Sequence, residues 1–357
     1  MRVFLTGASG FLGSAVAKAA ALDGHQVLAM HRPTSPPGYD GPTSSVTPVA
    51  GDLREDGAWR DQLARTECVI HCAAAASGDL ATQLAGTVLA TENLLAALPD
   101  GLARFVHVSS FSVYDFGAPG MASMLDEHTP LESRPLRRDA YTQTKLIQEA
   151  MVRAHCSAKG IPLVVIRPGA IYGPGKDWEF GRALRVGPFD LIFAPLARMR
   201  LVHVDDCAQA VVAALSLPID GELIVNIVGS ALPTHWGYHR LGRREGAPLG
   251  RAIPVPYFLL RMVGVAARLA SRAFFKGRAR LPELIDPPRL QARWRPLRYT
   301  NTRAKSSLGW DDKVRITDAV TDILARKNAG LRQDMAGLHD SSPGKSDPSV
   351  AIESGTS

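Results

Sequence analysis

Short apolar runs alternate with longer stretches of helical periodicity through the first 215 residues of the chain. Strand-like runs fall at residues 3–5, 26–30, 47–50, 68–71, 105–108 and 163–166. Helix-like periodicity covers 14–22, 58–64, 80–97 and 141–154. Such alternation predicts an α/β fold, a doubly wound parallel sheet with helices on both faces. The stretch 33–48 holds five prolines and two glycines and reads as a loop. After residue 168 the rhythm breaks into short pieces separated by proline and glycine. This predicts a core over 1–168 and a smaller, interleaved substrate-binding region over 169–332. A helix at 205–215 and a strand at 223–227 return to the core within the span 205–227. Residues 333–357 are polar and rich in Ser, Gly and Asp, so this tail is expected to be disordered.

Residues 1–13, Met-Arg-Val-Phe-Leu-Thr-Gly-Ala-Ser-Gly-Phe-Leu-Gly, place Gly7, Gly10 and Gly13 between the first strand and an alanine-rich helix. Gly7 suits a turn needing positive φ, Gly10 admits a pyrophosphate, and Gly13 allows close helix–sheet packing. The free N–H groups and positive dipole end of the helix then face the phosphates. Where an NAD enzyme of this plan carries an acid at the end of the second strand, this chain has His31 and Arg32. Arg32 favours the 2′-phosphate of NADP(H); alternatively it is a surface charge opening the loop. Asp52, in Gly51-Asp52-Leu53, either accepts a hydrogen bond from adenine or caps the next helix. Ala73 and Ala74 follow the fourth strand with side chains small enough for a dinucleotide to cross.

Tyr141 and Lys145 are spaced to share one helix face, where an ammonium and a bound nicotinamide would pull the phenol pKa down from ~10. Upstream, Ser109, Ser110 and Ser112 end a strand, and each could hold a substrate oxygen.

TGASGFLG, GDL, HCAA, VSSFSVY, YTQTK, RPGAIYGPG, LVHVDD and a closing NTRAKSSLGW (301–310) occur in order. Together they resemble the extended short-chain dehydrogenases/reductases, the NAD(P)-dependent epimerase/dehydratase superfamily, from Met1 to about Lys313. The resemblance implies a Rossmann-type core with Tyr141 as acid/base, Lys145 as ribose-binding and pKa-lowering residue, and Ser110 as the hydroxyl. It also implies cofactor contacts from Gly7, Ser9, Gly10, Phe11, Leu12, Gly13, Asp52, Leu53, Ala73, Ala74, Arg167 and Pro168, besides Tyr141, Lys145 and Arg32. Sugar-nucleotide members place an arginine shortly before V-x-D; here Arg198 and Arg200 straddle that position.

The run 258–275 is apolar with arginines at 261, 268 and 272, resembling the C-terminal apolar helix of 3β-hydroxysteroid dehydrogenase-like members. It reads as a pocket lining, a membrane-interface helix or a core helix with solvated arginines. Eight Lys or Arg against Glu283 and Asp286 over 271–298, within a net charge of +7, suggest an anionic partner or a solvated basic face. No nucleic-acid-binding module is recognisable.

Four cysteines show neither metal-ligand spacing nor a disulfide framework, so reduced thiols, no metal and a cytoplasmic location are expected. No signal peptide precedes the first strand in this sequence, and no apolar run is long enough to cross a bilayer. The expected activity is interconversion of a secondary alcohol and a ketone on a sterol- or lipid-like substrate, with NADP(H) favoured. The alternatives are a nucleotide-sugar epimerase or dehydratase with recycled cofactor, and a non-catalytic NADP(H)-binding protein. The 80–97 and 141–154 helices are a plausible homodimer surface by the same resemblance.

Overall fold

The computed structural model describes residues 1–35, 44–176, 184–275 and 286–340. Seven parallel strands form the central sheet. They are β1 (Arg2–Thr6), β2 (Gln26–His31), β3 (Val46–Ala50), β4 (Cys68–His71), β5 (Arg104–Val108), β6 (Leu163–Pro168) and β7 (Glu222–Ile227). Their spatial order is β3-β2-β1-β4-β5-β6-β7. The winding therefore reverses between β1 and β4, which opens a crevice at their carboxyl ends, the ligand position of doubly wound sheets.

The strands lack polar alternation because both faces are covered. In β1, Val3 and Leu5 pack with Val16 and Ala17 of the helix Phe11–Leu22 and with Ala208 and Val211 of the helix Val204–Ala213. Phe4 turns the other way, onto Phe105, Leu94 and Val152.

The run expected as one helix over 80–97 has three parts: Leu80–Gln83, a π-helical Leu84–Leu89, and Ala90–Ala96. Thr87 in the π segment accepts a hydrogen bond from Ala75 N at 2.9 Å. A Cβ on Gly86 would stand 3.0 Å from Ala75 Cβ. The wider turn thus seats the loop after β4, and simple 3.6-residue periodicity does not reveal it. The helix Ala140–Lys159 is longer than expected, capped by Asp139, which accepts from Thr142 N at 2.7 Å, and ended by Gly160 at φ 64°.

Beyond β6 the strands outside the central sheet are short. Ala170–Tyr172 pairs with Leu201–His203, and Phe189–Phe193 pairs with Leu184–Val186 and Arg251–Val255. The helices His235–Arg244, Tyr257–Phe275 and Pro287–Trp294 complete this region. The tail departs from expectation: the helix Ile316–Asp340 runs over 333–340. Ala319, Val320, Ile323 and Leu324 anchor it beside Tyr238, and no proline interrupts the sequence until Pro343. The rest of the tail (341–357), part of the 33–48 loop (36–43) and part of the basic run (276–285) lie outside the described residues.

Candidate active site

A cleft of about 770 Å³ lies across the carboxyl ends of β1, β4, β5 and β6. Gly7, Gly10, Phe11, Leu12 and Gly13 line one end. Gly7 has φ +71°, and a Cβ there would meet Ala73 N at 2.9 Å. A Cβ on Gly13 would stand 2.0 Å from Gly7 O, so this helix can approach the turn only as glycine. The helix Phe11–Leu22 has no side-chain cap and no acid in its first turn. Its amino-terminal N–H groups therefore remain available to an anion, and the glycine cradle fits a dinucleotide pyrophosphate. Ser9 is exposed on the turn, and Ala74 lines the cleft.

A separate hollow of about 340 Å³ beyond β2 and β3 includes Arg32, Thr34, Asp52 and Arg54. Asp52 caps no helix: it accepts from Arg54 N at 2.9 Å and Arg54 Nη2 at 2.6 Å. The Arg54 guanidinium holds its carboxyl below the usual range, and Arg32 adds to this from farther away. Leu53 is buried, and its carbonyl accepts from Asn93 Nδ2 at 2.8 Å. Asp52 therefore lines this hollow paired with Arg54, whereas Leu53 packs into the core and is not one of the lining residues.

The structure separates the three hydroxyls after β5. Ser109 borders the cleft but is buried, and its hydroxyl is taken up by Glu149. Ser110 caps the short 3₁₀ turn Phe111–Val113, with Oγ accepting from Ser112 N at 3.1 Å. It also stands in hydrogen-bonding position to the Tyr141 phenol, and both residues line the cleft. Ser112 also lines the cleft, but its Oγ is buried and has no hydrogen-bond partner among the described residues.

Tyr141 faces this cleft beside Ser110. Burial pushes the phenol pKa up, while the Ser110 hydrogen bond only moderates that shift. Lys145 Nζ is held by Val108 O and Gln148 Oε1, each at 2.7 Å. Burial pushes the lysine itself down to about 8.

Gln148 then ties Lys145 to the sheet: its Nε2 lies 3.0 Å from Ala73 O and 2.9 Å from Thr91 Oγ1. His71, also buried, bridges Thr6 Oγ1 at 2.8 Å and Thr91 Oγ1 at 2.9 Å. Thr91 Oγ1 donates to Thr87 O, and His71 Nε2 also lies 3.0 Å from Gln148 Nε2. Burial, with Lys145 nearby, pushes His71 down to about 3, so the ring is neutral. Gln148 and Glu149 stand three and four residues after Lys145, on the same helix face, which is the sequence signal that could have marked them.

Arg167 is a correction. Its side chain is fully buried, donating to Glu149 (Nε to Oε2, 3.1 Å) with its guanidinium 4.8 Å from the Tyr114 ring. It closes the core behind the site, while its neighbour Pro168 lines the cleft.

At the far end the cleft is lined by Arg200, Arg289, Arg293 and Trp294. Of the two straddling arginines, Arg198 donates to Leu232 O at 2.9 Å, and Arg200 alone enters, 4.7 Å over the Phe116 ring. Arg293 covers Trp294 at 5.0 Å, and neither Arg200 nor Arg293 has a carboxylate partner among the described residues. His235 packs on Trp294 at 4.9 Å; burial, with Arg200 and Arg293, pushes its pKa down to about 4. These residues come from three separate late segments, around 200, at 235 and in the helix Pro287–Trp294, and no local spacing in the sequence brings the three together.

The sequence matches the NAD dependent epimerase/dehydratase family over residues 3–227. It is 25% identical to the 2-alkyl-3-oxoalkanoate reductase of Stenotrophomonas maltophilia (strain K279a), covering 92% of this chain and 100% of that protein. With Sterol demethylase protein B of Methylococcus capsulatus it shares 32% identity over 56% of this chain and 59% of the relative. Among solved structures, MoeE5 in complex with UDP-glucose and NAD superposes with a TM-score of 0.65 at 20% identity, over 93% of this chain and 100% of that one. The chain belongs to the NAD dependent epimerase/dehydratase family and is an NAD(P)-dependent enzyme of the extended short-chain dehydrogenase/reductase type.

Proposed function

We propose that this enzyme interconverts a ketone and a secondary alcohol on a hydrophobic substrate, with NADP(H) preferred. The observation that carries the reading is the Ser110–Tyr141 pair facing the cleft floor beside Lys145. A bound nicotinamide would supply or take up the hydride. In reduction, Tyr141 gives its phenolic proton to the carbonyl oxygen as the carbon gains the hydride; in oxidation the hydroxyl proton passes to Tyr141. Ser110 hydrogen-bonds the oxygen whose charge changes. Lys145, carried by Val108 O and Gln148, is placed to hold a ribose hydroxyl. A phenol pushed up by burial keeps its proton at neutral pH, which suits the reducing direction.

The hydrophobic reading draws support from the helix Pro287–Trp294, which offers Ala292 and Trp294 to the cleft and packs its other side on the apolar helix Tyr257–Phe275. The name of the full-length relative, an oxoalkanoate reductase, agrees with it. The NADP(H) preference rests on Arg32, which follows β2 where the strand end carries no acid and lines the hollow together with Arg54, Asp52, Glu55 and Asp56. A second reading, epimerisation or dehydration of a nucleotide sugar, is favoured by Arg200 and Arg293 at the substrate end, which could take a diphosphate. Turnover followed by the near-ultraviolet absorbance of reduced nicotinamide separates the two. Net consumption of NADPH, faster than of NADH, with hydrophobic ketones is expected. Conversion of a nucleotide sugar at constant absorbance would overturn the reading.

A further inference from the structure

The helix Tyr257–Phe275 is a 19-residue element whose outer side is left uncovered among the described residues. Phe258 is 59% exposed, Met262 64%, Leu269 58% and Phe274 81%, and Leu259, Val263 and Val265 are exposed as well. At about 100° per residue these positions, with the alanines between them, fall on one arc of roughly 180°. Tyr257, Leu260, Gly264 and Ser271 face inward, with Tyr257 and Leu260 packing near Leu290 and Trp294. Between the buried side and one edge of the apolar arc runs a stripe of Arg261, Arg268 and Arg272. None of the three has a carboxylate partner among the described residues.

We infer that this helix is a docking surface for an anionic lipid bilayer, lying in the interface plane with its apolar arc inward and its arginines at the headgroups. Charge carries the choice of occupant. Between residues 257 and 282 the sequence has six cations (Arg261, Arg268, Arg272, Lys276, Arg278 and Arg280) and no acid. A second copy of the same face would set arginine against arginine, whereas an anionic leaflet complements the stripe along its length. The helix is not long and apolar enough to cross a membrane, so it lies on the surface rather than spanning it. Its inner side packs on the helix Pro287–Trp294, a wall of the catalytic cleft, which would bring that cleft next to the lipid.

The test is co-sedimentation of the full chain with vesicles of phosphatidylcholine alone and of equal parts phosphatidylcholine and phosphatidylglycerol. Binding to the anionic vesicles, weakened by added salt, and at least about tenfold weaker binding to the neutral ones is expected. The double substitution Arg261→Glu, Arg272→Glu should cost about tenfold or more, and Phe258→Glu with Met262→Glu should abolish binding without lowering the melting temperature. Equal partition onto both vesicles, or none onto either, overturns the proposal. So does a dimer that dissociates on Met262→Glu, which would make the face an interface between copies. A large fall in melting temperature in the apolar variants would show that the chain covers the face itself, and overturns it too.

Discussion

Glu149 lies at the junction of fold and site, taking Ser109 and Arg167 into one buried cluster directly behind the catalytic pair. The Glu149–Arg167 ion pair is buried on both sides, so removing one partner leaves an uncompensated charge in the core. Glu149→Leu is expected to cost about 3–5 kcal/mol of stability by denaturant unfolding. A loss under 1 kcal/mol would mean Arg167 finds another partner. At this scale the sequence was informative about residue type and silent about direction. RPG marks Arg167 as close to the site, yet nothing local says that its guanidinium turns inward to Glu149. Ser109 and Ser110 were equivalent in sequence; both border the cleft, but where the strand end turns into a 3₁₀ segment the Ser109 hydroxyl is taken by Glu149 while Ser110 caps the turn beside Tyr141.

At the scale of elements, the β1-turn-helix unit was the most legible part, because its demands are steric. With Gly7 O 2.0 Å from the position of a Cβ on Gly13, Gly13→Ala must push the helix away from the turn. Loss of most dinucleotide affinity, together with a lowered melting temperature, is expected from calorimetric titration and thermal unfolding. Near-native affinity would contradict the glycine cradle. The π segment Leu84–Leu89 and the length of Ile316–Asp340 were not legible. The first is set by the loop after β4 that it must seat, and the second by contacts with Tyr238 far away in sequence. Tertiary packing decides both, and local periodicity carries no trace of it.

For the whole molecule, three histidines sit neutral in the interior. Burial pushes His71 down to about 3, His235 to about 4, and His107 well below its ordinary 6.5. In the unfolded chain each takes up a proton near 6.5, whereas the folded protein refuses it. Their stabilising contribution is therefore complete above pH ~6.5 and is lost as pH falls toward the folded values. Between about pH 6 and pH 4 the slope approaches ~1.4 kcal/mol per pH unit for each histidine. Denaturant unfolding across this range should show stability falling steeply on acidification; a flat profile would mean the rings are protonated in the fold. The sheet order and the cofactor edge were readable because β-α alternation and glycine spacing are local. The arginine-lined end of the cleft was not, since Arg200, His235, Arg289 and Arg293 meet only after the late segments interleave.

The account depends on Tyr141 moving the proton in a site that Lys145 and the glycine turn hold ready for the dinucleotide. The direct test compares the native protein with Tyr141→Phe, measuring reduced-nicotinamide consumption with a hydrophobic ketone alongside cofactor affinity by fluorescence. A fall in kcat of about 10²–10⁴ with cofactor affinity changed less than about threefold is expected. Undiminished turnover in Tyr141→Phe would contradict the assignment.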